Sequence, residues 1–500
     1  MGIKSKLSIP FARFVANSVH KNAERAIELQ QKQFRSLLQK AATTAFGKDH
    51  HFKDVNSPDE FRQAVALADY EDLRPYVERV IAGEANVLWP GLPKYFCKTS
   101  GTTSGVKYIP LTEESMPNHI RSARNALLCY IAETGQADFV DGKMIFLQGS
   151  PELHHLPSGI PYGRLSGIVA HHVPGYLQKN RLPSWETNVI DDWEQKLDAI
   201  VGETLHQPMS LISGIPSWVQ MYFERLLERS GAKDIQTLFP KFRLMVYGGV
   251  NFEPYRARFH ELIGAHVPTL ETYPASEGFI AYQDSVEHEG LLLTFNDGIW
   301  YEFIPADQFF DANPPRLSLE EVKVGVNYAI VLNTNAGLWG YVIGDTVRFV
   351  SLSPPRIKVT GRIKHFTSAF GEHVIAEEVE KAMTAATAHF GFSISEFHVA
   401  PVVTPEEGLP YHEWLVEFEQ QPADIHAVEA FIDREMCRQN TYYNDLITGS
   451  VLRTCIIRPL PVGAFHEMMR SRGKLGGQNK VPRLANDREV ANLLIEARSV

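Results

Sequence analysis

The sequence predicts an α/β protein with a large N-terminal domain and a small α+β domain at its C-terminus. From residue 191 onward, helical patterns (191–205, 218–228) alternate with short apolar strands (209–212, 243–247). This alternation is typical of a mostly parallel sheet covered by helices. After Arg362 the pattern becomes α-β-β-α-β, with its last strand over 451–457. We therefore predict two domains, 1–362 and 363–500.

Composition excludes several classes of protein. The 500 residues are 44% hydrophobic and carry a net charge of −10, which argues against a nucleic-acid partner. No run approaches the ~20 apolar residues of a membrane span, so we expect no membrane partner. The cysteines are widely scattered and form no metal-type or redox pair, as in a reduced cytoplasmic protein (Cys97, Cys129, Cys437, Cys455). No feature indicates the oligomeric state.

Before residue 191 the signals are more mixed. The apolar periodicity predicts one amphipathic helix over 22–46 and further helices over 59–67 and 113–134. The segment 148–190 is irregular and contains two adjacent histidine pairs. A metal site is disfavoured because neighbouring side chains point in different directions. A substrate-pocket lining and a plain surface crossover both remain open.

The most informative stretch is the loop from Lys98 to Lys107, which combines hydroxyls, glycines and lysines between two extended segments. Glycines allow backbone N–H groups to converge, and hydroxyls add donors, as a polyphosphate requires. The spacing does not match the P-loop, in which Gly-Lys precedes a helix. We predict a different phosphate-binding loop, with the alternative of a simple Ser/Thr-rich turn. Its candidate binding residues are Ser100, Gly101, Thr102, Thr103 and Lys107.

Further candidates follow strands of the predicted sheet, where ligands bind in α/β proteins. Gly248 and Gly249 would let a flat base approach the backbone. Tyr273, Ser276 and Glu277 follow the next strand, and Glu277 is a suitable oxygen ligand for Mg²⁺ beside phosphates. Each of these has a plainer explanation, a Gly-Gly turn or a chance cluster. A third segment adds the candidates Asp345 and Arg362. The Asp345 carboxylate could accept hydrogen bonds from both ribose hydroxyls, or it could cap the backbone of its own turn.

Four blocks occur in a fixed order: the Ser-Gly-Thr-Thr loop, 273–277, 341–345 and Gly361-Arg362. Together they resemble the auxin-responsive acyl-acid amido synthetase family, which belongs to the acyl-adenylate-forming superfamily. The residues of these motifs are similar to those of the family's bacterial branch. The resemblance implies an adenylate-forming large domain and a mobile C-terminal cap hinged near 361–364. It also implies that the protein uses ATP and Mg²⁺. In that case the Ser-Gly-Thr-Thr loop would contact the phosphates, residues 273–277 would bind adenine and Mg²⁺, and Asp345 would bind the ribose.

The cap is expected to supply a catalytic lysine. The stretch Gln478-x-Lys480-x-Pro482-Arg483 resembles the family's Gln-x-Lys-Thr-Pro-Arg block, which favours Lys480 over Lys474. A solvated basic loop is the alternative. With Lys107 and Glu277, Lys480 completes the predicted catalytic set.

The predicted function is an ATP-dependent ligase. It adenylates a small carboxylic acid and transfers the acyl group to the amine of an amino acid, forming an amide. Two alternatives remain open: an acyl-CoA ligase that shares the first half-reaction, and a non-catalytic nucleotide-binding protein on the same scaffold. The sequence does not identify the acid or the acceptor.

Overall fold

The computed structural model describes residues 2–100, 106–173, 178–190, 192–249, 252, 255–363, 366–367, 374–403, 405, 407–448, 451–472, 481–485 and 487–496. Its contacts divide the chain into two compact units. The first comprises residues 1–343 with 348–358, and the second comprises 344–347 with 359–500. None of the helices in the described part of the chain is both long and apolar enough to cross a membrane.

The first unit opens with five helices: α1 Ile3–Ala23, α2 Ala26–Ala41, α3 Ala45–Asp49, α4 Pro58–Ala64 and α5 Tyr70–Ile81. The single helix predicted over 22–46 is therefore divided. A new helix begins at α3 because the side chain of Thr44 accepts a hydrogen bond from the Gly47 N–H at 3.0 Å and caps it. The sequence analysis did not predict α1, because the face of this helix that packs inward consists of small residues.

Two sheets follow, with strands numbered along the chain. The first has the order β2-β1-β5-β4 and contains β1 Tyr95–Ser100, β2 Val106–Leu111, β4 His154–His155 and β5 Pro161–Gly163. β1 and β2 form an antiparallel pair, and β5 lies parallel to β1. The short strands β4 and β5 of the irregular segment 148–190 thus belong to the sheet that carries the predicted phosphate loop.

The second sheet has eleven strands in the order β12-β13-β14-β15-β11-β10-β9-β8-β7-β3-β6. Its strands are β3 Lys143–Phe146, β6 Arg181–Leu182, β7 Met209–Gly214, β8 Leu244–Gly248, β9 Thr269–Ala275, β10 Gly278–Tyr282, β11 Leu291–Leu293, β12 Ile299–Pro305, β13 Asn327–Thr334, β14 Tyr341–Leu352 and β15 Pro355–Arg362.

This larger sheet is only half parallel. The strands β6, β3, β7, β8 and β9 pair in parallel, as the helix–strand alternation predicts. Beyond β9 the pairs β9–β10, β10–β11, β11–β15 and β12–β13 are antiparallel. The reason is the connection: two residues join β9 to β10, whereas a parallel crossover needs a dozen or more.

The remaining helices of the first unit are α6 Met116–Thr134, α7 Leu165–Ala170, α8 Trp185–Asn188, α9 Trp193–Thr204, α10 Pro216–Ser230, α11 Ile235–Leu238 and α12 Arg256–Ile263, with 3₁₀ turns at Asp138–Asp141 and Ala306–Gln308. An aromatic core joins the N-terminal helices to the large sheet. In it the Phe34 ring lies 4.6 Å from that of Trp300, and the Phe52 ring lies 4.9 Å from that of Trp339.

The second unit contains β16 Phe366–Thr367, β17 Val374–Ile375, α13 Ala376–Phe390, β18 Ser393–Val402, β19 Tyr411–Gln420, α14 Ile425–Gln439, α15 Thr441–Thr448, β20 Ile456–Leu460, α16 Ala464–Ser471 and α17 Glu489–Glu496. The predicted α-β-β-α-β order is present. Its last strand begins at Ile456 rather than 451, because the register with β19 starts at the Glu413–Ile456 pair. The core of this unit includes the stacked rings of Phe397 and Trp414.

Candidate active site

The predicted phosphate loop joins two paired strands, as the sequence indicates. Thr99 of β1 lies opposite Lys107 of β2. Gly101, Thr102 and Thr103 lie outside the described residues, and only the backbone of Ser100 is described. The hairpin, and not its connecting loop, is therefore the observed part of this site.

Lys107 is half-buried and lies over an aromatic ring. Its Nζ is 5.6 Å from the ring centroid of Tyr70, the first residue of α5. The Tyr70 hydroxyl oxygen accepts a hydrogen bond from the Tyr108 N–H at 3.0 Å, and burial raises the pKa of Tyr70. A cation over a ring is held by the ring's electrostatics. Tyr70 thus anchors β2 and positions the lysine beside the loop.

Gly248 and Gly249 lie at the carboxyl end of β8, beside β9. Gly248 is paired with Thr272, whose hydroxyl donates to the Tyr247 carbonyl oxygen at 3.0 Å. A Cβ added at Gly248 would lie 2.4 Å from the Thr272 carbonyl oxygen, so only glycine fits there without movement. Gly249 has a φ of +86°, a conformation that favours glycine.

Tyr273, Ser276 and Glu277 lie one strand further along the same edge. Tyr273 is buried on β9 opposite Ala281, while Ser276 and Glu277 are half-buried in the turn that leads into β10. The pairing of β8 with β9 places Tyr273 beside the two glycines, and Ser276 and Glu277 follow where β9 ends. The candidates thus lie on neighbouring strands, and their role as one nucleotide site stays a prediction.

Cys97 of β1 connects this turn to the strand that carries the phosphate loop. Burial raises the pKa of the Cys97 thiol far above its ordinary value, the charge of Glu277 raises it further, and a hydrogen bond with the Ser276 side chain opposes both. The Ser276-Glu277 turn therefore packs against β1. Sequence reasoning treated Cys97 as an ordinary core residue. Its position directly before Lys98 was the available signal.

The irregular segment contributes aromatic side chains beside the same strands. Tyr162 of β5 lies opposite Phe96 of β1, and its ring centroid is 5.4 Å from that of Tyr108 and 6.0 Å from Lys98 Nζ. Tyr162 and Tyr108 are both half-buried. Aromatic surface is thus available next to the two lysines that flank the loop.

The second histidine pair, His171-His172, has structural partners. His171 Nε2 lies 2.8 Å from the Pro151 carbonyl oxygen, and His172 Nε2 lies 3.2 Å from the Tyr95 hydroxyl. Across the described ranges of the chain, no group of three or more His, Cys, Asp or Glu side chains could hold a metal ion.

The other predicted residues belong to the second unit. Asp345 is half-buried and follows Gly344, whose φ is +85°. Its neighbour Thr346 accepts a hydrogen bond from Thr360 at 2.9 Å. Arg362 ends β15, and only its backbone is described. Lys474 and Lys480 lie outside the described residues.

Three family models match consecutive parts of the chain: the GH3 family N-terminal domain over 15–201, the central domain over 292–362 and the C-terminal domain over 377–489. Together they cover well over half of the sequence. The chain belongs to the GH3 family. The phosphate loop falls in the first match, Asp345 and Arg362 in the second, and Lys480 in the third. The residues at the ends of β8 and β9 lie between the first two matches.

Curated GH3 relatives include the probable indole-3-acetic acid-amido synthetase GH3.1 of Arabidopsis thaliana. It is 22% identical over 573 residues, covering 99% of this chain and 96% of the relative. The jasmonoyl–L-amino acid synthetase JAR4 of Nicotiana attenuata is 23% identical, but that match covers 64% of this chain and 66% of the relative. Membership confirms the predicted family, and the relatives' names agree with the predicted class of amide-forming ligase.

Solved structures agree on the fold. The GH3.15 acyl acid amido synthetase matches with a TM-score of 0.79 and 16% identity, covering 96% of this chain and 95% of that one. A 2-hydroxyisobutyryl-CoA ligase in the postadenylation state matches with a TM-score of 0.56 and 14% identity, covering 94% and 92%. These likenesses confirm the predicted adenylate-forming α/β fold with a C-terminal domain.

Proposed function

We propose that this GH3 protein is an ATP-dependent ligase that adenylates a small carboxylic acid and transfers the acyl group to the amine of an amino acid. The observation that carries the proposal is the cluster at the ends of β8 and β9, tied through Cys97 to the strand before a Ser/Thr/Gly loop. The names of the curated relatives, which are amido synthetases, support the same proposal.

The first half-reaction joins the acid to the nucleotide. A carboxylate oxygen of the substrate attacks the α-phosphorus of ATP, the bond to the β-phosphate oxygen breaks, and pyrophosphate leaves. In the second half-reaction the amine nitrogen attacks the acyl carbonyl, AMP leaves, and the amine loses its proton to solvent. The protein's task is to orient the substrates and to neutralise charge, with no covalent enzyme intermediate.

We assign the nucleotide to the edge where β8 and β9 end. The base would lie against the backbone of Gly248 and Gly249, beside Tyr273, and glycine at 248 is itself required by the close approach of Thr272. Residues 100–103 and Lys107 would meet the phosphates. Glu277 is a half-buried carboxylate of the kind that Mg²⁺ prefers, and the ion would neutralise phosphate charge when bound. Ser276 would contact phosphate.

The division of labour between domains is also a proposal. Residues 1–362 would bind ATP and the acid, and residues 363–500 would act as the cap. Asp345 and Arg362 would bind ribose and phosphate, and Lys480 would stabilise charge as the adenylate forms. The half-buried Tyr108 and Tyr162 favour an acid with an aromatic or extended apolar group, because such surfaces bury well against aromatic rings. We assign the activity to the cytoplasm, in keeping with its reduced cysteines.

The first test is acid-dependent exchange of pyrophosphate into ATP across a panel of aryl, aryloxy and indole carboxylic acids. We expect exchange with some acids, reduced ~10²–10³-fold in Glu277→Gln. Glu287→Gln serves as the matched control because Glu287 is an exposed carboxylate of the same unit, away from the cluster. Exchange that survives in Glu277→Gln would refute the role of that carboxylate.

The acceptor is tested next, with the acids that support exchange. Mass spectrometry of reactions with amino acids, and separately with CoA, should detect an amide and no thioester. A thioester alone would replace this proposal with the acyl-CoA ligase. Lys480→Ala should lower exchange ~10²–10³-fold while ATP still binds, and Lys474→Ala should not.

A further inference from the structure

The first helix, α1, presents a row of large apolar side chains to solvent. Leu7, Phe11 and Phe14 are 67%, 51% and 73% exposed. Their spacing of four and three residues places them along one face of the helix. The opposite face carries the small residues that pack against α6 and its surroundings, namely Ser5, Ala12, Ala16 and Ala23.

The same helix is basic within an acidic protein. Residues 3–23 contain Lys4, Lys6, Arg13 and Lys21 and no Asp or Glu, whereas the whole chain has a net charge of −10. All four cationic side chains are exposed. At 100° per residue they lie on both sides of the apolar row, with Lys4 on one side and the other three on the other.

Two more cations lie next to Phe14. A cavity of about 240 Å³ opens beside it between α1 and α6, and its lining includes Arg121 and Arg124. Arg121 Nε lies 3.1 Å from the Asp297 carboxylate, so one of these two charges is balanced. Arg124 donates to the amide oxygen of Asn125, a neutral group. The neighbourhood of the apolar row therefore remains positive.

The helix is fixed to the first unit at both ends. At its start, Asp141 accepts hydrogen bonds from the Gly2 N–H at 2.6 Å and from the Ser5 hydroxyl. Near its end, His20 Nε2 lies 3.2 Å from the buried Asp284 carboxylate. The apolar row is thus held outward by contacts on the other side of the helix, and it cannot turn inward without breaking them.

We propose that this face of α1 docks the protein onto an anionic membrane surface. Exposed Phe and Leu flanked by Lys and Arg are typical of segments that lie in the lipid interface. There the apolar groups enter the acyl boundary and the cations meet anionic headgroups. The sequence prediction of no membrane partner rested on the absence of a spanning segment, which interfacial docking does not need.

Charge complementarity favours this occupant over a second copy of the chain. A two-fold interface would bring the basic face against itself, because such an interface uses the same patch on both subunits. Like charges would then meet across it, which is destabilising. An anionic lipid surface is complementary to both the cations and the apolar row.

The test is co-sedimentation of the full chain with vesicles of phosphatidylcholine, alone or with about 30 mol % phosphatidylserine. We expect binding to the anionic vesicles only, weakened at high salt. The double variant Phe11→Ser, Phe14→Ser should bind roughly tenfold or more weakly. The double variant Lys4→Gln, Lys6→Gln should bind about 25-fold more weakly, because each cation near the surface contributes roughly fivefold.

Two matched controls distinguish binding through α1 from non-specific binding through exposed residues elsewhere. Phe310→Ser removes a 60% exposed ring that lies near Asp307 and Asp311, and Lys233→Gln removes an exposed lysine elsewhere in the first unit. Both should bind as the wild type does.

Three results would overturn the proposal. The first is no binding of the wild type to anionic vesicles. The second is equal binding by all variants. The third is a dimer in light scattering that Phe11→Ser, Phe14→Ser converts to a monomer, without vesicle binding. Exchange activity is measured in parallel and should be unchanged, because none of these residues belongs to the candidate active site.

Discussion

The close approach of β8 and β9 at Gly248 gives the sharpest test of the candidate active site. A Cβ at this position would lie 2.4 Å from the Thr272 carbonyl oxygen and 2.9 Å from its hydroxyl oxygen, whereas ordinary contacts begin at 3.4 Å. Gly248→Ala must therefore move the two strand ends apart by about 1 Å. Overpacking of this kind costs ~1–3 kcal/mol of stability.

The functional cost should be larger than the cost in stability. A displacement of ~1 Å near reacting groups can reduce a rate ~10²-fold, because positioning supplies much of the catalysis. We expect Gly248→Ala to remain folded, with a modest fall in melting temperature, and to lose ~10²-fold in kcat/KM for ATP in pyrophosphate exchange.

Gly202→Ala is the matched control. Gly202 lies in α9, and the nearest atom to an added Cβ would be Arg229 Nη1 at 3.6 Å. Alanine should fit there and stabilise the helix by ~0.5–1 kcal/mol without changing exchange. If Gly248→Ala retained the wild-type kcat/KM for ATP while its melting temperature fell, the assignment of the nucleotide to this edge would be refuted.

Three further predictions concern stability. The buried Arg316 guanidinium lies 2.5 Å from the Glu302 carboxylate, and Glu302→Ala removes this partner. We expect the variant to lower the unfolding free energy by ~3–5 kcal/mol in urea titrations. A loss below ~1 kcal/mol would contradict this. Burial raises the pKa of Asp284, but hydrogen bonds and charge from His20 and Arg356 lower it more, to below its ordinary value. The stabilisation by the Asp284 carboxylate is therefore present above pH ~4 and is lost as the pH falls further. The difference in unfolding free energy between wild type and Asp284→Asn should shrink below pH ~4, and a difference that stays constant would contradict this prediction. Burial raises the pKa of Glu378 from 4.5 to about 6, so unfolding free energy falls as the pH rises through that window. Glu378→Gln should slow amide exchange in α13 by the equivalent of ~2 kcal/mol at pH 7 and not at pH 4, whereas equal exchange at pH 7 would contradict the buried charge.

Much of the fold could be predicted where apolar periodicity reports burial. The strands β7 and β8 and the helices α9 and α10 were predicted within a few residues, because their apolar positions face the core at regular spacing. In α1 the same logic fails. Its large apolar residues point outward and its buried positions are Ala and Ser, so no apolar period marks the face that packs.

The candidate active site shows a similar division. The helix–strand pattern placed Gly248 and Glu277 after two successive strands, and those strands, β8 and β9, are parallel neighbours in the sheet. The contact between Ser276 and Cys97 could not be predicted, because it joins two different sheets. Sequence order carries no information on how two sheets pack.

The distribution of the first unit's candidate residues over two sheets has a consequence for how the protein responds to nucleotide. The phosphate-loop hairpin belongs to the four-stranded sheet, and the residues at the ends of β8 and β9 belong to the eleven-stranded one. A bound nucleotide that touches both would act as a non-covalent crosslink between layers whose packing otherwise rests on side chains. Its binding energy would then add to the cooperativity of unfolding, so that both sheets melt together at a higher temperature.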